Sequence, residues 1–166
     1  MSDGADTQRD EAEVRRFVER FALTMVETGM PRMPARVFAA LLASEEGKLT
    51  AAELASALHV SPAAISGAVR YLAQVGMIAR ERDPGGRRDH YVVYEDLWSA
   101  MSVQRDQALA RWVKDLASGV DAVGAGTRAG RRLDETRRYF EFLREEMPRL
   151  MARWQAAQGD RWRPRE

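Results

Sequence analysis

The chain has 166 residues and no cysteine, which excludes disulfides, thiolate metal sites and cysteine-based peroxide sensing. Its only histidines, His59 and His90, stand far apart, leave little for a metal site and read as structural or surface residues. No apolar run approaches the roughly 20 residues that cross a bilayer. The opening MSDGADTQRDEAE is polar and acidic, without the positive flank and apolar core of a signal peptide. We therefore expect a cytoplasmic protein with no cofactor and no membrane contact. Lysine is nearly absent too, since only Lys48 and Lys114 occur and arginine supplies the rest of the positive charge. Arginine suits bidentate contacts to phosphate and guanine, although a GC-rich genome would give the same bias. The net charge of +1 does not by itself announce a nucleic-acid binder. Its distribution says more: residues 1–30 carry four Arg against seven acids, whereas 61–94 carry five Arg against three.

Catalytic chemistry finds no foothold. Glu45-Glu46 and Glu145-Glu146 are sequence neighbours, so on a helix they point in different directions and make poor acid/base pairs. Gly124-x-Gly126-x-x-x-Gly130 has the wrong spacing for a dinucleotide loop and follows a helical pattern rather than a strand. No serine or threonine has an evident base partner. We expect no enzyme.

What is present is a compact motif between Thr50 and Val93. Thr50 and Glu53 make a capping box that starts a helix at Ala51. Its apolar positions Leu54, Ala55 and Leu58 last until His59-Val60, where Ser61-Pro62 supplies a new N-cap with proline in the first helical position. In the second helix Ile65, Val69, Leu72 and Val75 recur at helical spacing, and Gly76 sits where a left-handed cap belongs. The period then turns to alternation through Met77–Arg82, the loop Asp83-Pro84-Gly85-Gly86 reverses the chain, and His90–Val93 returns. Two close helices followed by such a hairpin predict a winged helix-turn-helix, with Gly86-Arg87-Arg88 at the wing tip and the second helix entering the major groove.

The flanking segments read as helices. Residues 1–9 are a polar tail, and Val14, Phe17, Val18, Phe21 and Met25 form one apolar stripe ending near Gly29. Pro34 begins a supporting helix through Val37, Phe38, Leu41 and Leu42 to about Glu46-Gly47, and Lys48-Leu49 is a candidate third strand. Beyond the wing a helix runs from Tyr94 to about Val120, a turn falls between Gly119 and Gly130, and a last helix runs from Arg131 to about Gln158. In it Leu133, Thr136, Phe140, Leu143, Met147, Leu150 and Trp154 follow the 3-4 spacing of a coiled-coil seam, with Pro148 expected to kink it. The expected fold is mainly α with a small β wing, in five parts. These are a tail (1–9), an N-terminal dimerisation helix (10–30), a winged helix-turn-helix (31–94), a C-terminal helical dimerisation region (95–158) and a second tail (159–166). The expected homodimer uses Phe17, Phe21, Leu133, Phe140, Leu143, Met147, Leu150 and Trp154. It would set two recognition helices about one duplex turn, ~34 Å, apart. The alternative is that these helices fold back on their own subunit.

The paired helices AAELASALHVSPAAISGAVRYLAQVGMI, the wing strand ending in Arg80 and the return GGRRDHYVV resemble the MarR family of bacterial transcriptional regulators, and within it the GbsR-like branch. The likeness in order of elements spans residues 11–158. The family pattern often carries Asp-x-Arg at the wing, where this chain has Gly85-Gly86 before Arg87-Arg88. The resemblance implies a dimeric, ligand-responsive repressor reading a palindromic operator.

Double-stranded DNA is thus the expected partner. Ser61 caps the reading helix and can donate to a phosphate. Ala63 and Ala64 offer only thymine-methyl contact or close approach, Ser66, Gly67 and Arg70 lie off the buried stripe, and Arg87 and Arg88 suit the narrow minor groove. A pocket for a small apolar effector would use Phe21, Met25, Trp98 and Met101, although Met and aromatic residues at helical spacing are more often core. The competing reading is a winged-helix module for protein association that does not bind DNA, from which Arg70, Arg87 and Arg88 distinguish it.

Overall fold

The computed structural model describes residues 10–82, 88–93 and 97–158, and the chain divides into two compact units, 1–94 and 95–166. The first holds α1 (Glu11–Glu27), α2 (Arg32–Leu42), β1 (Lys48–Thr50), α3 (Ala51–Leu58), α4 (Pro62–Gln74), β2 (Ala79–Arg82) and β3 (Asp89–Val92). The second holds α5 (Leu97–Val123) and α6 (Arg128–Gln158). This is the expected class, mainly helical with a small antiparallel wing.

Local chemistry fixes most boundaries. The Asp10 carboxylate accepts from the N–H groups of Ala12 (2.9 Å) and Glu13 (3.1 Å) and so starts α1. α2 begins at Arg32, two residues before the expected Pro34, because proline is tolerated throughout a first turn whose N–H groups lack partners anyway. It stops at Leu42, short of Glu46: the Ser44 hydroxyl donates to the Leu41 carbonyl at 2.7 Å, and Gly47 turns the chain at φ 61°. α3 opens with the expected capping box, Thr50 Oγ1 accepting from the Glu53 N–H while Glu53 accepts from the Thr50 N–H at 2.7 Å. α4 closes with Met77 N–H donating to Leu72 O (2.9 Å) and Gly76 N–H to Ala73 O (3.1 Å), with Gly76 at φ 74°. That closure draws Met77 and Ile78 into the core, so the wing strand starts at Ala79 rather than Met77.

α2 is the hub of the first unit. Pro34, Ala35, Val37, Phe38, Ala39, Ala40 and Leu41 are all buried, and its alanines let α1 and α4 come close. Val18 and Ala22 of α1, Leu54 and Leu58 of α3, and Ile65, Val69 and Leu72 of α4 complete the core. Each full-sized aliphatic among them contributes about 1.5–3 kcal/mol of burial. The sheet order is β1-β3-β2, with Lys48 opposite Val92 and Arg82 opposite Asp89.

The second unit is an antiparallel hairpin. Asp106 pairs with Arg144 (2.8 Å), the rings of Trp112 and Phe140 meet edge to face at 5.2 Å, and Gly119 lies against Leu133, three contacts in one descending register. The turn occupies only 124–127, so Gly119 and Gly130 lie inside helices and α6 starts at Arg128 rather than Arg131. Thr127 is the cap: its hydroxyl accepts from the Gly130 N–H at 2.9 Å and donates to Gly124 O at 2.8 Å. α6 continues through Pro148 as one element. Among the described residues of this unit Leu97 is the only buried apolar side chain.

Candidate nucleic-acid interface

The site is built on α4. Ile65, Ala68, Val69 and Leu72 occupy its buried face, which fixes the opposite face as outward. Ala63, Gly67, Arg70 and Gln74 are all exposed and, at intervals of four, three and four, form one outward stripe with Ser66 beside it. Ser61 caps the helix, its hydroxyl accepting from the Ala64 N–H at 3.4 Å, and Pro62 follows. Ala64 is half-buried. A Cβ added at Gly67 would meet nothing within 4 Å, so no packing inside the chain demands glycine there. Arg70 is exposed and has no ion-pair partner among the described residues. Gln74, which sequence reasoning did not single out, lies one turn beyond Arg70 on the same stripe and could be found by extending the 63–67–70 spacing.

The wing is organised by Asp89. Its carboxylate accepts from Arg80 and, at 3.0 Å, from Arg82, two residues that alternate onto one face of β2. The Arg80 hydrogen bond, aided by Arg82, holds the Asp89 carboxyl below its ordinary range. Glu53 is lowered likewise, first by the Thr50 backbone N–H and then by its hydroxyl. Arg88 is exposed, while Arg87 lies outside the described residues, as do Gly85 and Gly86. Arg80, Arg82 and Asp89 were missed because their meeting depends on the hairpin register, although Arg-x-Arg followed by Asp across a turn is a readable signal. An aspartate beside wing arginines is therefore present, seven residues after Arg82.

The remaining expected residues distribute as follows. Phe17 is exposed and stacks on half-buried Phe21 at 5.6 Å. Met25 is half-buried on α1, whereas Trp98 (exposed) and Met101 (half-buried) lie on α5, in the other unit. Leu133, Phe140, Leu143 and Met147 are half-buried, Leu150 and Trp154 exposed. Part of the seam expected to meet a partner is used within the chain: Phe140 packs on Trp112, and Leu133 on Gly119. The physical reason is the short turn, which lays α6 along α5 before any second chain arrives. Among the described residues no group of acidic or histidine side chains could hold a metal ion, and no helix is long and apolar enough to cross a membrane.

A MarR family model matches residues 28–89, and a model described as MmpR5-like MarR family transcriptional regulator matches residues 96–158. The chain belongs to the MarR family. Neither model names a GbsR-like branch. The chain is similar to the HTH-type transcriptional regulator MmpR5 of Mycobacterium tuberculosis, with 28% identity over 162 residues, covering 96% of this chain and 98% of that protein. It is also similar to a transcriptional regulator of known crystal structure, with a TM-score of 0.78 at 26% identity, covering 87% of this chain and 99% of that one. As a MarR family member it is a DNA-binding transcriptional regulator rather than an enzyme. In the winged fold of such a chain α4 is the second helix of the helix-turn-helix and β2–β3 is the wing.

Proposed function

We propose that this MarR family protein is a homodimeric, ligand-responsive repressor that reads a palindromic operator through α4 and its wing. The observation that carries the reading is the outward stripe of α4: side chains of at most two heavy atoms at Ala63, Ser66 and Gly67, then Arg70, which has no ion-pair partner among the described residues. A helix so bare at its start comes close to base edges, and Arg70 adds a bidentate donor. Direct reading is accordingly thin in the first turn, where Ser61 positions the helix on a phosphate and Ala63 and Ala64 contact thymine methyls. Arg70, Arg87, Arg88 and DNA shape carry the remainder.

Support for the dimer comes from the second unit. Trp112, Tyr139, Phe142, Leu150 and Trp154 are each roughly half exposed, and among the described residues of α5 and α6 only Leu97 is a fully buried apolar side chain, a thin core for two helices standing alone. A second copy covering this face and the exposed Phe17 accounts for all six residues. Control by a small apolar effector, acting through different affinities for two spacings of the reading helices, belongs to the same proposal.

Selection of duplex DNA from a random pool by the purified protein tests it. A selected sequence with two-fold symmetry is expected, and Arg70→Ala should bind it about tenfold or more weakly. Recovery of no sequence preference would overturn the reading.

A further inference from the structure

Three helices of the first unit end in the same way, with a residue in the left-handed region and two closing backbone bonds. At the ends of α1 and α4 that residue is glycine, Gly29 (φ 99°) and Gly76 (φ 74°), for which the conformation is free. At the end of α3, in the turn that leads into the reading helix, it is His59 (φ 51°, ψ 49°), with Val60 N–H donating to Ala55 O at 3.0 Å and His59 N–H to Ser56 O at 3.3 Å. A side chain with a Cβ is strained there, and the strain is relieved by rotating the peptide between Leu58 and His59. That peptide is held. The Arg36 guanidinium, only 16% exposed, donates to the Leu58 carbonyl at 3.0 Å through Nη2. The same guanidinium is gripped by Glu19 of α1, which accepts from Nε at 2.8 and 3.1 Å and from Nη2.

We propose that Arg36 is a positioning residue for DNA recognition, fixing the Leu58–His59 peptide and hence the angle at which α4 leaves α3, with Glu19 making that angle depend on α1. The guanidinium crosses three helices: it is rooted on α2, oriented by α1 and bonded to the last turn of α3. Its planar fork is what allows it to serve Glu19 and Leu58 together, which an ammonium does poorly. A displacement of α1 that carries Glu19 away releases the peptide, and the strain at His59 then reorients the helix that reads DNA. A groove of about 530 Å³ between α1, α2 and α3, lined among others by Glu19, Arg36 and His59, runs alongside this link, so Glu19 has room to move.

The proposal rests on α4 being the reading helix, and its test separates the two. Affinity is measured for a duplex selected by the wild-type protein and for a random-sequence duplex, over a range of salt. Arg36→Met keeps an unbranched apolar stem and loses the donors. It should weaken binding to the selected duplex about tenfold, with little effect on random duplex or on the salt slope, because Arg36 meets no phosphate. His59→Gly, which removes the strain, should bind like wild type and restore most of the affinity when combined with Arg36→Met. A residue that merely packs would not be rescued from position 59. Should Arg36→Met fail to fold, Glu19→Gln, on a nearly half-exposed side chain, carries the same comparison with a smaller loss of about threefold. Wild-type binding by Arg36→Met, or a loss that His59→Gly leaves unchanged, overturns the proposal. A wild-type protein that prefers no duplex overturns the reading of α4 instead.

Discussion

Two glycines inside helices should respond in opposite ways to the same added methyl. In an unconstrained helix Gly→Ala stabilises by about 1 kcal/mol. At Gly67 the new Cβ meets nothing within 4 Å, so the full gain is expected, raising Tm by about 2–4 °C for a chain of this size. At Gly130 the Cβ would stand 2.2 Å from the Gly124 carbonyl oxygen, 2.9 Å from its carbon and 3.0 Å from Ala125 Cα, all backbone. The turn must retreat by about 1 Å to reach ordinary van der Waals separation. Gly124 O also accepts from the Thr127 N–H (3.1 Å) and hydroxyl (2.8 Å), so that retreat undoes the cap of α6. Overpacking at about 1–3 kcal/mol and the cap at about 1 kcal/mol outweigh the helical gain, leaving a net loss of about 1–3 kcal/mol. Thermal unfolding followed by circular dichroism reads both signs. A Gly130→Ala protein that melts above wild type would refute the close approach. The same pair carries a functional contrast: Gly67→Ala, though more stable, should bind its selected duplex about tenfold more weakly, and unchanged affinity would remove the reason for glycine there.

Other outcomes follow from the same contacts. Thr50→Ala should cost about 1 kcal/mol through loss of the capping box, measured by urea unfolding. Arg88→Ala should lower affinity for the selected duplex and reduce the slope of log affinity against log salt by about 1. Because the Asp89 carboxyl is depressed, its contribution to holding the wing is complete above the ordinary aspartate range and is lost only as pH falls through its lowered folded value. A carboxyl-carbon NMR titration should therefore place its midpoint below that of an unpaired aspartate, and a midpoint at or above the ordinary value would contradict the pairing with Arg80 and Arg82. Phe142→Asp, at a position 57% exposed in the single chain, should leave the first unit folded and shift sedimentation from dimer to monomer. Sedimentation as a dimer would place the interface elsewhere.

Features encoded by neighbours in sequence were legible, and those that depend on long-range register were not. The Thr50–Glu53 box and the Ser61-Pro62 start lie within four residues of the backbone they serve, and both were read correctly. The start of α6 escaped because Thr127 has Gly130, not Glu, three residues on, so its cap resembles part of a glycine-rich loop. Pro34 misled in the other direction: it marks a first turn without saying which position in that turn it holds. The outward face of α4 could be drawn from the buried stripe alone, which is why Ser66, Gly67 and Arg70 are legible in the sequence, and the same spacing extended by one turn reaches Gln74. Nothing local joins Glu19, Arg36 and Leu58, which are 17 and 22 residues apart and meet only once α1, α2 and α3 have packed. The seam of α6 was visible as a pattern, but a pattern does not name its partner, and Phe140 found Trp112 of its own chain.

The three-stranded sheet has a consequence for how copies of this protein can associate. β3 is central and has both flanks occupied, which leaves only the outer edges of β1 and β2 open to strand addition. β1 is three residues long, and β2 is Ala79-Arg80-Glu81-Arg82, charged at every position but the first. Short and charged edges are poor templates for a further strand. Two copies that come together, as proposed above, are thereby guarded against growing a sheet from wing to wing, and such contact would fall to the helices.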